Sequence, residues 1–529
     1  MNYDESVRYL LTLGRELATP SHARAQKFDL RNISVLAERL GNPHRAYPCV
    51  HIAGTNGKGS TAAMLDSILR TAGLITGLYT SPHLERINER IRVNGQDISD
   101  ADFAATFDCV LSCIEELLAS GILPAHPTYF ECLTAMAFHH FAHGCHSERS
   151  PAPQGAGRNE ESLRPSSAHC HSESAAADEE SAFPSPSSRT PVDFSIFEVG
   201  MGGRLDSTNI VTPEVAVITQ IDFDHENFLG HSIEEIAAEK AGIIKQNGLV
   251  VSAADHPAAR PVIARRAAEM DARLVELDCA WRLENVHSDA GCFRARAFPV
   301  GSGASLNLAP RLPGRFQLRN ALTAAAAARL LTQRGFSITD SAIERGIASA
   351  VWPGRLERLQ DRPALFLDGT HNPAGARELL RFWQEEFPAS PDSDRGESCS
   401  SRAQSRDANE VSRGSRIILV YGAMRDKAVD EIAGLLFPHA ATVILTQPRQ
   451  PRAISAGELA RLTRHLAQDL QIVEVPEEAV EEALDLASPD DAIFITGSLY
   501  LVGDIKRWWN LRTSSYARTN LSVGDRSLP

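Results

Sequence analysis

The stretch CVHIAGTNGKGSTAAMLDSIL, residues 49–69, leaves few options for the fold around it. A short apolar run leads into Gly54, Gly57 and Gly59. Beyond them Leu65, Ile68, Leu69 and Ala72 recur at helical spacing and line one face. A strand, a glycine turn and an amphipathic helix in that order must lay the helix across a sheet, next to a parallel neighbour strand. The alternation continues. FSIFEVG at 194 and VAVITQID at 215 are further short apolar runs. Beyond Pro313 a helical stretch, FQLRNALTAAAAARLLTQRG, precedes ALFLDG, RIILVYGAM, ATVILTQP, QIVEV and AIFITGS. Near-continuous apolar strands are those buried on both faces, so the fold class is α/β with parallel sheets covered by helices. The length exceeds a single core, and two domains are expected: a phosphate-loop domain with a central parallel sheet over 1–310, and a smaller Rossmann-like α/β domain over 311–529. Ligands of such sheets bind at the carboxyl ends of the strands.

Residues 144–191 and 388–415 are rich in Ser, Pro, Ala, Arg and Glu and nearly empty of large apolar groups. Such tracts cannot bury enough surface to offset the entropy of ordering, and both are expected to be flexible insertions. The first carries CHSE twice, at 145 and 170, which reads as a duplicated tract rather than a metal site. A net charge of −14 argues against a broad nucleic-acid surface but leaves room for a local anion pocket. No apolar run approaches a membrane span. The opening MNYDESVRYLLTLGRELATP has acids where a signal peptide needs lysines, so it reads as an amphipathic helix of a cytoplasmic protein with no membrane partner. Nine scattered cysteines in a reducing compartment predict free, buried thiols. Cys109 and Cys113 share a helix face, and no second Cys or His pair is expected to accompany them.

The glycine loop carries chemistry. A strict phosphate loop reads G-x-x-x-x-G-K-[ST]. Here Gly54-Thr55-Asn56-Gly57-Lys58-Gly59-Ser60 shortens the first gap and places Gly59 between lysine and hydroxyl. The physics is unchanged, because backbone N–H groups converge on phosphate oxygens and the following helix presents its N-terminus to negative charge. Lys58 would neutralise β/γ-phosphates, and Ser60 or Thr61 could reach Mg²⁺. A glycine-rich turn with no ligand is the plain alternative. Against it, FEVGMGGRLDSTNI supplies Glu198 at the end of one apolar strand, and ITQIDFDHENFLG supplies Asp222, Asp224 and His225 at the end of another.

The motifs HIAGTNGKGS, YTSPHLERINERIRVNG, PTYFECLTAMAF, FEVGMGGRLDSTNI, DHENFLG, IAAEKAGIIK, WPGRLE, LDGTHNP and TGSLYLVG occur in the order seen in folylpolyglutamate and dihydrofolate synthases. The chain resembles these members of the Mur ligase superfamily over nearly its whole length outside the two insertions, and the shortened loop is the superfamily's own form. The resemblance implies an ATP-dependent ligase that phosphorylates a pteroate or folate carboxylate and lets the amine of L-glutamate attack the acyl phosphate. Gly54 to Thr61 then cradle ATP, and Ser60, Ser81, Glu198 and His225 are the metal-site residues, with Lys58, His225 and Lys240 at the chemistry. Lys240 matches a lysine that the family carries as a carbamate. Asn320, Arg355, Asp368 and His371 match nucleotide contacts, which places the site in a cleft between domains. The resemblance further implies dihydropteroate, tetrahydrofolate or both as acceptors, a bifunctional enzyme, a monomer, and ATP and Mg²⁺ as its requirements. The rivals are a peptidoglycan-precursor ligase of the same superfamily and a non-catalytic ATP-binding module.

Overall fold

The computed structural model describes residues 1–13, 29–143, 191–301, 303–388 and 415–523, with side chains as far as 513. The two expected insertions lie, apart from their end residues, outside the described residues. An eight-stranded sheet is built from β1 (Cys49–Ala53), β2 (Thr76–Tyr79), β3 (Ile91–Val93), β4 (Gln96–Asp97), β5 (Phe194–Glu198), β6 (Val215–Ile218), β7 (Leu249–Ser252) and β8 (Arg273–Glu276). Its order is β4-β3-β2-β5-β1-β6-β7-β8. The pairings from β2 through β8 along this order are parallel, and only the β2–β3 and β3–β4 pairings at the edge are antiparallel. β1, β5 and β6 are buried along their whole length, as strands covered on both faces must be.

A three-stranded antiparallel sheet follows, of β9 (Trp281–Asp289), β10 (Cys292–Pro299) and β11 (Leu306–Leu308). The last sheet holds β12 (Glu357–Asp361), β13 (Ala364–Leu367), β14 (Ile417–Tyr421), β15 (Thr442–Leu445), β16 (Leu470–Ile472) and β17 (Ala492–Thr496), in the order β12-β13-β17-β14-β15-β16. All but the antiparallel edge strand β12 are parallel. The two-part α/β reading therefore holds.

Two expectations change. The loop helix, Lys58–Thr71, is buried from Ser60 through Leu69 and not along one face. The helices Phe316–Gln333 and Asp340–Ser349 cover the side that the first sheet does not, and they share one apolar core with it. Small residues permit the close approach: a Cβ on Gly346 would stand 2.4 Å from the Ile68 Cα. Deleting the Ile68 side chain to alanine in such a core costs about 2–5 kcal/mol. For the same reason the division expected at 310–311 moves. Residues 316–350 pack with the first sheet, whereas Leu356 joins the core of the second, so we place the boundary in the connection after Ser349.

Candidate active site

β1 ends between the carboxyl ends of β5 and β6, and the glycine loop turns there. Gly54 has φ +152°, and a Cβ on it would meet Thr219 Oγ1 at 1.8 Å, so no side chain fits. Thr219 Oγ1 donates to Asn56 O at 2.7 Å and Thr55 N–H donates to Gln220 O at 2.7 Å, which ties the loop to the end of β6. Gly57 has φ +84° and caps the loop helix. A Cβ on it would lie 2.3 Å from Asn320 Oδ1. The loop thus presents the helix N-terminus to a cleft of about 440 Å³.

Three charged groups meet at this edge. Lys58 Nζ donates back to the carbonyls of Gly54 and Thr55, at 3.1 and 3.0 Å. Lys240, on the helix Ile233–Ala241, is buried and donates to Gly54 O at 2.8 Å. Burial, and then the Lys58 charge, lower its pKa to about 7. Glu198, the last residue of β5, is buried, and its Oε2 accepts the Ser81 N–H at 3.1 Å. Burial pushes its carboxyl above the usual range against the pull of Lys58. Ser81 Oγ and Thr61 Oγ1 are both buried without a hydrogen-bond partner.

The opposite wall comes from the carboxyl ends of the second sheet. The segment after β13 carries Asp368, His371 and Asn372, and that after β14 carries Lys427. Asp368 accepts the N–H groups of Leu356 at 2.9 Å and Thr370 at 3.0 Å. Asn56 and Asn372, 316 residues apart, exchange side-chain amide hydrogen bonds of 3.2 and 2.9 Å. Lys427 Nζ pairs with Asp224 at 2.9 Å, and both side chains are nearly buried. Burial works against the Asp224 charge, but Lys427, then His225 and His371, outweigh it and hold the carboxyl well below its ordinary range. Burial and Lys427 together lower His225 to about 3 and His371 to about 4, so both rings are neutral near pH 7.

Of the residues read from the sequence, Gly54, Thr55, Asn56, Gly57, Lys58, Gly59, Ser60, Ser81, Glu198, His225, Lys240, Asn320, Arg355, Asp368 and His371 line this one cleft. Thr61 does not; it sits under the loop. Among the described residues no three His, Cys, Asp or Glu side chains converge as a metal-holding group, so a cation at Glu198 and His225 would depend on the serine hydroxyls as well. Sequence reasoning missed Lys427, Asn372 and Gln317, whose Nε2 donates to Ser60 Oγ at 3.4 Å. One signal was available for Lys427: the chain has six lysines against 47 arginines, and Lys58, Lys240 and Lys427 are half of them.

The sequence matches the profile of the Mur ligase middle domain over residues 185–328 and that of the Mur ligase glutamate ligase domain over 400–499. It is 32% identical over 487 residues to the dihydrofolate synthase/folylpolyglutamate synthase of Bacillus subtilis, covering 90% of this chain and 94% of that one. The fold is similar to Mycobacterium tuberculosis folylpolyglutamate synthase complexed with ADP and AMPPCP, with a TM-score of 0.73, 29% identity and coverage of 95% and 99% of the two chains. It is also similar to Escherichia coli FolC in complex with DHPP and ADP, with a TM-score of 0.72, 26% identity and coverage of 96% and 98%.

Proposed function

The chain belongs to the dihydrofolate synthase/folylpolyglutamate synthase family of ATP-dependent ligases, and from that premise we infer a bifunctional enzyme that adds L-glutamate to both dihydropteroate and reduced folates. In this reaction the γ-phosphoryl group of ATP passes to the acceptor carboxylate. The glutamate amine then attacks the acyl carbon and phosphate leaves, giving an amide, ADP and phosphate. Little covalent work falls to the protein; it must hold anions, neutralise charge and exclude water.

The residues suit those tasks. Loop N–H groups and the helix N-terminus receive phosphate oxygens. Lys58 needs only to exchange the Gly54 and Thr55 carbonyls for phosphate. Arg355, Asn320, Asp368 and His371 complete the nucleotide side of the cleft. A divalent cation fits the first wall: Ser81 Oγ is buried and unpartnered, and burial leaves the Glu198 carboxylate in want of positive charge. Ser60, Ser81, Glu198 and neutral His225 would hold Mg²⁺, which when bound neutralises phosphate charge. A carbamate at Lys240 is supported by the same chemistry, since carbon dioxide adds only to a neutral amine and a pKa near 7 supplies one. Both walls of the cleft come from one chain, which favours catalysis by a monomer.

The observation that carries this reading is the convergence of buried Lys240 and buried Glu198 on the glycine loop that bears Lys58, roofed by a second α/β unit. The test is ADP release by the purified protein with Mg-ATP, measured with dihydropteroate and with tetrahydrofolate as acceptor. Glutamate-dependent release is expected with each. Release with one acceptor alone would remove bifunctionality, and release with neither would overturn the assignment.

A further inference from the structure

Ser81 reaches the cleft on a segment that belongs to both units. Residues 80–90 link β2 to β3, and two apolar side chains three residues apart on this segment meet different cores. Ile87 is buried among residues that pack on the first sheet. Leu84 packs instead against a core of the second unit that holds Val502 and Ile505. Two glycines make its seat. Gly503, on the helix Leu499–Val523, comes so close that a Cβ on it would stand 2.0 Å from Leu84 O. A Cβ on Gly354, which has φ +71°, would lie 3.3 Å from both Leu84 methyls. The helix also grips the next residue, since Arg507 donates to Glu85 O at 2.7 Å. Lys506 pairs with Glu357 at 2.7 Å, and Glu357 accepts the Gly354 N–H at 2.8 Å, which fixes the seat.

Within the segment, Glu89 accepts the N–H groups of Leu84, Glu85 and Arg86 at 2.7, 2.8 and 2.8 Å, and the Thr80 N–H donates to Arg90 O at 3.0 Å. These bonds stiffen residues 80–90 into one piece, so a displacement at Leu84 is felt at Ser81. Ser81 itself has few bonds. Its N–H donates to Glu198 at 3.1 Å, and its hydroxyl has no partner among the described residues. A hydroxyl with no bond of its own takes its place from the backbone that carries it. We propose that Leu84 is a positioning residue for ligation: seated in the second unit, it sets the place of Ser81, so that the metal-site wall is complete only while the two units are docked. The proposal rests on the reading that Ser81 helps to hold Mg²⁺. Groups that support a metal ligand govern affinity nearly as strongly as the ligand does. The consequence is an order of events. With the second unit undocked the wall is incomplete, and ATP is readied for transfer only once water is excluded.

The test uses Mn²⁺ as the probe and follows its binding to the full-length protein with AMPPCP through the paramagnetic resonance of the free ion. Leu84→Ala should weaken Mn²⁺ binding about tenfold, and Leu84→Met, which keeps the volume, should restore it. Gly503→Ala favours its own helix yet must push the Leu84 carbonyl away. It should weaken Mn²⁺ binding as Leu84→Ala does, and the loss then comes from the contact and not from a weaker helix. In a Ser81→Ala background, Leu84→Ala should cost less than about twofold more. A second readout needs no metal: the amides of Leu84, Glu85 and Arg86 should exchange with deuterium faster in Leu84→Ala than in the wild type. Wild-type Mn²⁺ affinity in both Leu84→Ala and Gly503→Ala overturns the proposal. So do losses that add fully to that of Ser81→Ala, and so does unchanged exchange. A wild-type protein that binds no Mn²⁺ with AMPPCP removes the metal-site reading itself, and the proposal with it.

Discussion

The two walls of the cleft are built on opposite principles. On the first-sheet wall the polar groups are incompletely partnered: Lys240 donates to a carbonyl, Glu198 accepts one N–H, and Ser81 Oγ has no partner among the described residues. On the second-sheet wall they are satisfied within the protein. Asp368 takes two backbone amides, Asn372 bonds Asn56 and the Gly375 N–H, and Lys427 bonds Asp224. A buried polar group left unsatisfied costs about 1–3 kcal/mol, so the first wall is completed by what it binds. On the second wall Asn372 and Lys427 dock onto the first, and Asp368 and His371, which line the cleft, are held in place by the protein itself. The difference separates groups left open toward the cleft from groups whose bonds are closed within the protein.

The comparison can be broken by substitution. Lys58→Ala should show the largest effect, a drop in kcat/KM of about a hundredfold to a thousandfold with an unchanged thermal transition. If Lys427→Met proved the more damaging to kcat, the division of labour would be reversed. Lys240→Ala should follow, losing about a hundredfold in kcat, with acetate restoring part of it as a substitute carboxylate. Its pH dependence has a definite sign. With a pKa near 7, Lys240 is neutral and open to carbon dioxide above that pH and protonated below it. The carbamate carbon should therefore be visible by NMR with ¹³C-bicarbonate at pH 8 and fade below pH 7. An unmodified Lys240 in active enzyme at pH 8 would refute the carbamate.

Smaller effects sharpen the same contrast. Lys427→Met leaves Asp224 buried without its main partner and should weaken docking of the two units by about 3 kcal/mol. It should appear chiefly as a raised KM for ATP, and an unchanged KM would mean that the ion pair holds nothing the nucleotide needs. Arg377 pairs with Asp222 across the same division, but its side chain is 46% exposed. Arg377→Ala should change KM by less than about fivefold, as exposed ion pairs contribute about 1 kcal/mol at most.

How much of this was legible depended on distance along the chain. The strand, glycine turn and helix of residues 49–71, and the charged residues at the ends of β5 and β6, could be read because backbone sterics and burial periodicity act over a few residues. Gly54 and Gly57 sit at the positive φ angles that such a turn requires. The sequence by itself thus determined the α/β class, the edge where the glycine loop sits and, through its resemblance, nearly every residue expected in the cleft that lines it. It could not determine which partner each group would meet. Lys427 finds Asp224 203 residues away, and Asn372 finds Asn56 316 residues away. The helices at 316–349 pattern like the start of a second domain, yet they belong to the first core, because what assigns a helix to a domain is the surface it packs against. Pairing, burial and the pKa shifts they produce are properties of faces brought together, and only the tertiary structure decided which faces met.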